Sequence, residues 1–341
     1  MINLYNTSIE KLFIHKVGNK CRNEELFLSQ YPYEISDEIR PILKEFFFKA
    51  FREKEEQYFQ FSENSELGTT MNIYFDQLME SHEQIAKHLY NQGNHPHIKA
   101  GEVYICELTN IQVDNEVFNG IGIFKSELKY DFIEFNKTES RLDLILKEGV
   151  NLDKLDKGAI IIDDNSKTGF KILYIDSNKY DSKYWVENFL GLEELEDDHY
   201  NTRNYLKFCE GFAKDVLKPG FDKYAEVNFI NDTYAHFAER DEFNEDTFLD
   251  QVLESDLHPE FDNYKTEAGG QYNVYELSEF PISNETLSDC RKKLKSEIGL
   301  DTGLTIKIDK GTQAASKHLE KGWDDEKQMY YYLAYFNKEN K

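Results

Sequence analysis

The first half of the chain alternates hydrophobic and polar residues over short stretches, a pattern typical of β-strands. Near the start, Ile9, Leu12, Ile14 and Val17 are separated by mostly polar residues. Further on, short runs rich in β-branched and aromatic residues follow one another, with turn residues between them. These runs span residues 102–113, 117–126, 130–135, 141–148, 158–164 and 169–176. Because few helical segments separate them, they predict a largely antiparallel sheet.

Two helices are predicted between the first strand and this group of strands. The first begins at about Ser36, a good N-cap whose followers Asp37 and Glu38 suit the dipole of a first turn. The second follows the segment 61–67 and ends at about Asn91, before the helix-breaking residues of 91–97. Hydrophobic residues recur at helical spacing in both, at Ile42, Leu43, Phe46, Phe47 and Phe51 in the first and at Tyr74, Phe75, Leu78, Ile85 and Leu89 in the second.

The second half is dominated by helical periodicity. After Asn201, seven mostly apolar residues fall on one side of a helix, and the Lys218-Pro219-Gly220 run stops it. The apolar side comprises Tyr205, Leu206, Phe208, Cys209, Phe212, Ala213 and Val216. Further helices are predicted over 234–240, over 244–253 with Asn244 as its cap, and over 284–298 with Leu294 and Ile298 turned inward. Two strands are predicted over 304–309 and 329–336.

These elements predict an α+β fold with two domains. Residues 1–190 form a mostly antiparallel sheet flanked by two helices, and residues 191–341 form a mainly helical domain that ends in short strands. The segment 180–212 joins the two. Its aromatic residues Tyr184, Trp185 and Phe189 are expected to pack on the sheet domain, and Gly191 with the acidic run after it breaks the chain.

Composition narrows the class of protein. A hydrophobic fraction of 40% is ample for a packed core, and no stretch is apolar enough to predict a membrane-spanning helix. The N-terminus lacks a signal-peptide pattern, and the four cysteines have no metal-like spacing. We therefore expect a cytoplasmic protein without a cofactor, and free cysteines. The net charge of −25 repels nucleic acid at long range, so DNA binding would require a local basic patch or low salt.

Two basic groups are the candidate DNA contacts. The denser one lies in the predicted helix 284–298 and comprises Arg291, Lys292, Lys293 and Lys295. The other is a stripe on the polar side of the helix after Asn201, comprising Arg203, Lys207 and Lys214, with Glu210 within it. Clustered cations on a helix can neutralise several phosphates at once. The alternative for both groups is an ordinary solvated helix face.

Five segments in order resemble the bacterial nucleoid-associated protein family of the NdpA and YejK type, from about Ile9 to the C-terminal strands. They are FSENSEL (61–67), IDSNKYDSKYWVENFLG (175–191), NTRNYLKFCEGF (201–212), the FP…ETL turn (280–287) and GLTIKID (303–309). The resemblance implies a nucleoid-located, cytoplasmic protein that binds double-stranded DNA and has no known enzymatic activity. It identifies no DNA-contacting residue. Between the last two segments this chain departs from the family's pattern and carries RKKLKSE (291–297).

Other groups of polar residues suggest chemistry more weakly. His95 and His97 flank Pro96 and are interpreted as a polar turn rather than a metal or acid–base pair. Asp163 and Asp164 have the form of a nuclease metal pair, but the turn residues that follow them favour a hairpin. The acidic run 193–199 is interpreted as a linker, with Asp198 or Asn201 capping the next helix.

We therefore expect an accessory double-stranded-DNA-binding protein of the nucleoid without catalytic activity. Two alternatives stay open: an acidic protein that binds protein partners or imitates DNA, in a mobile-element or phage-defence setting, and a metal-dependent nuclease centred on Asp163 and Asp164. A homodimer is also expected, because the apolar strand 329–336 would otherwise be an exposed edge.

Overall fold

The fold is described by a computed structural model that covers residues 2–52, 57–166, 169–177, 183–218, 223–294, 297–308 and 318–338. It has a mixed α+β architecture and divides into two compact units, Met1–Leu195 and Glu196–Lys341. The sequence-based division at residues 190 and 191 stays a prediction. Among the described residues, no helix has the length and hydrophobicity needed to cross a bilayer.

The first unit is built on a nine-stranded sheet in which every pairing is antiparallel, as predicted. Its strands follow the order β11-β4-β10-β9-β6-β5-β2-β3, and β1 pairs with β5 beyond the bulge at Leu108 to Ile111. The strands are β1 (Ile2–Asn3), β2 (Ser8–Val17), β3 (Leu26–Phe27), β4 (Phe59–Phe61), β5 (Gly101–Val113), β6 (Glu116–Ser126), β9 (Lys157–Ser166), β10 (Gly169–Asp176) and β11 (Leu192–Glu194). Two further strands, β7 (Lys129–Lys137) and β8 (Leu142–Val150), pair only with each other.

Both faces of the central strands are buried in the middle of the sheet, where β6 (GIGIF, 120–124) and β9 (AIII, 159–162) are apolar without interruption. On one face, Phe13, Ile105, Ile123 and Ala159 form a row across four strands. Helices α2 (Glu66–Tyr74) and α3 (Leu78–Gln92) and a π-helix over Lys183–Leu190 cover this face. On the other face, helix α1 (Arg40–Arg52) packs four phenylalanines against the sheet.

The glycine at position 122 makes room for the aromatic core on the α1 face. A Cβ atom there would lie 2.5 Å from the Phe124 ring. Because that space is free, Phe124 stacks on Phe47 of α1 with ring centroids 4.2 Å apart. This aromatic contact fixes α1 on the sheet.

Three predictions in the first unit need correction. Helix α1 begins at Arg40 rather than Ser36. Residues 36–39 form a turn instead, in which the Ser36 carbonyl accepts hydrogen bonds from the Ile39 and Arg40 amides. The predicted second helix is two helices, with Ser65 capping the first through a 3.0 Å bond to the Gly68 amide. The runs 130–135 and 141–148 are strands, but they form a separate ribbon outside the sheet.

The aromatic residues of the segment that joins the two units belong to the first unit, as predicted. Tyr184, Trp185, Phe189 and Leu190 are buried in the core beneath α2 and α3. Gly191 follows with a φ of +64°, a conformation that glycine adopts without strain. Part of the predicted acidic linker is instead strand β11, which pairs with β4 at the sheet edge.

The second unit is mainly helical, and its described residues also form three two-stranded antiparallel sheets. Its helices are α4 (Asp198–Phe212), α5 (Lys223–Ala238), α6 (Glu245–Val252), α7 (His258–Ala268) and α8 (Asn284–Lys293), and a π-helix spans Ala213–Leu217. Its strand pairs are β12 (Glu242–Asn244) with β13 (Glu279–Pro281), β14 (Glu297–Gly299) with β15 (Thr305–Lys307), and β16 (Leu319–Asp324) with β17 (Met329–Ala334). A core rich in phenylalanine and tyrosine joins the helices.

Several boundaries in the second unit differ from the sequence-based ones. Helix α5 starts eleven residues before the predicted Tyr234. Helix α8 ends at Lys293, and Ile298, predicted on its inner face, is buried in β14 instead. The predicted cap Asn244 of α6 is confirmed, since its side chain accepts a 3.0 Å bond from the Thr247 amide.

A buried pair of histidines lies under the sheet face covered by α3. The Nδ1 atom of His82 lies 3.4 Å from Nε2 of His15, and the Ser29 amide donates to Nδ1 of His15. His82 also stacks on Phe13 at 3.7 Å. Burial, and secondly the charge of His82, lower the pKa of His15 to about 4, while Glu83 opposes the shift. Burial also lowers the pKa of His82.

Acid should therefore destabilise the first unit before its carboxylates titrate. Both histidines have lower pKa values in the folded state than their ordinary 6.5, so the unfolded chain binds more protons and stability falls as pH drops through 6.5 toward 4. Between pH 7.5 and 5.5 we expect His15 alone to account for a loss of about 1 kcal/mol. His15→Gln should reduce this slope.

The measurement is urea unfolding followed by Trp185 fluorescence, in a Trp323→Phe background that removes the other tryptophan. His97→Gln, at an exposed position, is the matched control and should keep the full slope. An unchanged slope in His15→Gln would contradict the assignment.

Candidate nucleic-acid interface

Helix α4 separates an apolar side from a polar side that carries two of the predicted DNA contacts. Its N-cap is Asp197, which accepts a 3.0 Å bond from the Tyr200 amide, so the predicted caps Asp198 and Asn201 are each inside the helix. Lys207 is exposed and Arg203 is half-buried. The predicted apolar side is confirmed, because the core of the second unit contains Tyr205, Leu206, Phe208, Cys209, Phe212 and Ala213, with Val216 partly buried against it.

A set of buried hydrogen bonds joins α4 to the start of α8. The Ser283 amide donates a 2.9 Å bond to Oγ1 of Thr202. Nδ1 of His199 lies 2.9 Å from Oγ1 of Thr286 and 3.0 Å from Oγ of Ser283. All four residues are buried, so the bonds are shielded from water and fix the two helices against each other.

The charges of the α4 basic group reach helix α8, against which α4 packs. Burial and the charge of Glu210 raise the pKa of the Cys290 thiol on α8, while the charges of Lys207 and Arg203 oppose that rise. Charge interactions of this kind act over short distances in a partly solvated protein. The two cations of α4 therefore lie within electrostatic reach of Cys290, which immediately precedes Arg291.

This surface is of mixed charge rather than purely basic. Lys292 forms a 2.7 Å ion pair with Asp289, which raises the pKa of the lysine. Arg203 lies over the ring of Tyr200, 5.7 Å from its centroid. Glu210 accepts a 2.7 Å bond from the hydroxyl of Tyr234. The carboxylates reduce the positive potential that the lysines and arginines produce.

The basic residues at the end of α8 also stabilise the helix itself. Arg291, Lys292 and Lys293 occupy its last turn, where cations favour the negative end of the helix dipole. Lys295 lies outside the described residues. Lys214 is exposed on the π-helix after α4, a full two turns from Lys207. The structure thus brings Arg203 and Lys207 within electrostatic reach of α8, on which Arg291 follows Cys290.

The other sequence candidates lie apart from this surface. His95 and His97 are exposed in a turn, with ring centroids 5.1 Å apart. Asp163 pairs in the sheet with Phe170 and lines a groove of about 350 Å³ with Asp76. In the part of the chain that the structure describes, no three His, Cys, Asp or Glu side chains are grouped as ligands for a metal ion.

Sequence reasoning missed an aromatic groove in the second unit. It has a volume of about 830 Å³ and lies between the β14–β15 and β16–β17 pairs. Trp323, Tyr330 and Tyr331 line it, and Lys321 lies over the Tyr330 ring at 4.7 Å. The only signal in the sequence was the aromatic run of β17, because the partner strand β16 contains few strand-forming residues.

The fold and this surface define a mixed α+β protein with two units, whose second unit presents a mixed-charge helical face. Residues 13–330 match the family described as NA37, nucleoid-associated protein YejK. The chain belongs to this family, and membership indicates a nucleoid-associated role. A search of curated proteins found no match.

Replacing Thr202 should loosen α8. Thr202→Val leaves the buried Ser283 amide without its acceptor, at a cost of about 1–3 kcal/mol. If α8 opens locally, its amides should exchange hydrogen about tenfold faster for each 1.4 kcal/mol lost. Mass spectrometry of peptides covering 284–293 measures this rate. Thr202→Ser keeps the hydroxyl and should exchange as the wild type does, whereas equal rates in all three proteins would contradict the role of the bond.

Proposed function

We propose that the protein is a double-stranded-DNA-binding accessory protein of the bacterial nucleoid, located in the cytoplasm and without catalytic activity. The observation that supports the proposal is that buried hydrogen bonds join α4 to the start of α8, and that the charges of Arg203 and Lys207 on α4 act on Cys290 of α8, next to Arg291. Membership of a nucleoid-associated family supports the proposal that basic side chains of both helices contact DNA.

The net charge of −25 sets the conditions under which this surface can work. A duplex approaching at long range is repelled, so affinity must come from short-range contacts between phosphates and the basic side chains. Each carboxylate on the surface, such as Glu210 and Asp289, weakens that attraction. We therefore propose weak, salt-sensitive binding that follows the backbone of the duplex and has little preference for sequence.

The same charge favours one alternative, a protein that binds protein partners or presents a DNA-like acidic surface. The two functions differ in what happens at low salt. A DNA-binding protein retains a labelled duplex, whereas an acidic mimic leaves the duplex free and competes for DNA-binding partners. Retention of the duplex is what we propose.

Removing the positive charges at the end of α8 should weaken binding and flatten its salt dependence. In Arg291→Gln/Lys292→Gln/Lys293→Gln, up to three phosphate contacts are lost. The slope of log K against log salt should then fall by up to about 3, since each contact contributes about 0.9. Glutamine avoids the helix-dipole penalty that glutamate would add at this position.

Fluorescence anisotropy of a labelled duplex across a salt series measures both quantities. The matched control is Lys99→Gln/Lys154→Gln/Lys183→Gln, which changes the net charge equally at three exposed lysines of the first unit. It should keep the wild-type slope. Equal slopes in the α8 variant and the wild type would remove α8 from the interface, and no binding by the wild type at low salt would favour the acidic-mimic alternative.

A further inference from the structure

The β7–β8 ribbon exposes an apolar face that the first unit does not cover. Residues paired directly across two antiparallel strands share a face, so the register places Ile133 with Leu146, Phe135 with Leu144, and Lys137 with Leu142 on one side. The five apolar side chains of this face are each more than half exposed. Their exposures are Ile133 58%, Phe135 66%, Leu142 64%, Leu144 66% and Leu146 69%.

The opposite face of the ribbon mixes polar and apolar side chains. There Glu134 and Lys147 form an ion pair, and Phe132 lies against Gly149, where a Cβ atom would come within 3.0 Å of its ring. The remaining positions are Asn136, Asp143, Tyr130 and Ile145. The apolar side chains of this face, Tyr130, Phe132 and Ile145, are 38–49% exposed, so the first face is the more apolar and the more exposed of the two.

The ribbon is held firmly at its base. Oδ2 of Asp156 accepts bonds from the amides of Glu127 (2.7 Å) and Leu128 (3.1 Å), which lead into β7. Nζ of Lys129 forms a 3.0 Å ion pair with Glu102 of the sheet. A two-stranded ribbon alone is marginally stable in water. Because this ribbon has nine paired residues in each strand, we expect a partner to bury its apolar face.

We propose that this face packs against the same face of a second copy of the chain. The charges on it are self-complementary when the two ribbons run in opposite directions. Asp131 and Glu148 lie near the base of the ribbon with Lys129, giving that end one net negative charge, and Lys137 lies near the tip. A two-fold axis through the middle of the face brings each tip lysine to the acidic base of the partner.

The overall charge of the ribbon also favours a second copy. Residues 129–150 contain four basic and five acidic residues, a net charge of −1, in a chain of net charge −25. Two copies therefore meet at a surface where the repulsion between them is least. The lack of a basic excess makes the face a poor match for nucleic acid or for an acidic membrane surface.

The size of the face suits such a contact. The ribbon is about 30 Å long at the usual rise per residue in a strand. Large apolar side chains bury roughly 150–250 Å² each when aromatic and somewhat less when aliphatic, so five of them supply much of the about 800 Å² that each partner contributes to a stable interface. Packed face to face, the two ribbons make a four-stranded sandwich with sheets about 10 Å apart.

Charging the apolar face should separate the two copies. In Phe135→Lys/Leu146→Lys, two lysines enter the centre of the contact. Sedimentation equilibrium should give the wild type twice the 40.2 kDa mass of the chain and this variant 40.2 kDa. Tyr130→Lys/Ile145→Lys puts the same two charges on the opposite face and should stay dimeric. Matching far-UV circular dichroism confirms that each variant is folded.

A charge exchange tests the antiparallel arrangement. Lys137→Glu should weaken the dimer by roughly tenfold, and adding Asp131→Lys in the same chain should restore it, because tip and base then attract again with reversed signs. A monomeric wild type, a dimeric Phe135→Lys/Leu146→Lys variant, or a control that dissociates equally would overturn the proposal. Failure of the second charge to restore the dimer would overturn the antiparallel packing. None of these results depends on DNA binding.

Discussion

The constraint on which the first unit depends is that its central strands are apolar on both faces. An antiparallel sheet can leave one face in water, but here Phe13, Ile105 and Ile123 lie on one side while Cys106, Phe124 and Ile160 lie on the other. Each side must be covered. Helices α2 and α3 with the π-helix Lys183–Leu190 cover one face, and α1 covers the other. The π-helix therefore has a structural role, because its aromatic residues complete the core on that face of the sheet.

The β7–β8 ribbon follows the opposite rule. It continues the polypeptide between two strands of the sheet, β6 and β9, yet in the part of the chain that the structure describes no helix covers its apolar face. Its base is fixed by Asp156 and Lys129, which keep it extended away from the sheet it leaves. A second copy would supply the cover that the helices supply elsewhere, so both features reflect the same need to bury apolar strand faces.

The second unit groups basic side chains on two helices, although the chain as a whole is acidic. Buried bonds among His199, Thr202, Ser283 and Thr286 hold α4 and α8 together, and the charges of Arg203 and Lys207 on α4 act on Cys290 of α8. Carboxylates within the same surface limit its strength. For a chain of net charge −25, that balance fits the proposed DNA binding, which would depend strongly on salt.

Hydrophobic periodicity predicts the helices and strands whose apolar pattern repeats along the chain. The apolar side of α4 was identified correctly because a long amphipathic helix repeats its pattern over several turns. The ribbon was assigned to the main sheet because alternation indicates a strand without indicating its partner. Short strands such as β4, β11 and β14 were missed since three residues carry little pattern. Helix α8 was extended to Ile298 because a buried isoleucine fits either a helix or the strand that follows it. The closeness of Arg203 to α8 depends on tertiary packing, which sequence spacing does not reveal.

The most direct test of the central claim, that α4 and α8 together contact DNA, is side-chain footprinting with hydroxyl radicals in the presence and absence of a duplex at low salt. The account predicts protection of Arg203, Lys207 and Arg291 together, with the aromatic residues of the β16–β17 pair and the polar face of the ribbon unchanged. Unchanged reactivity on α4 and α8, with protection confined to other surfaces of a DNA-bound protein, would contradict it.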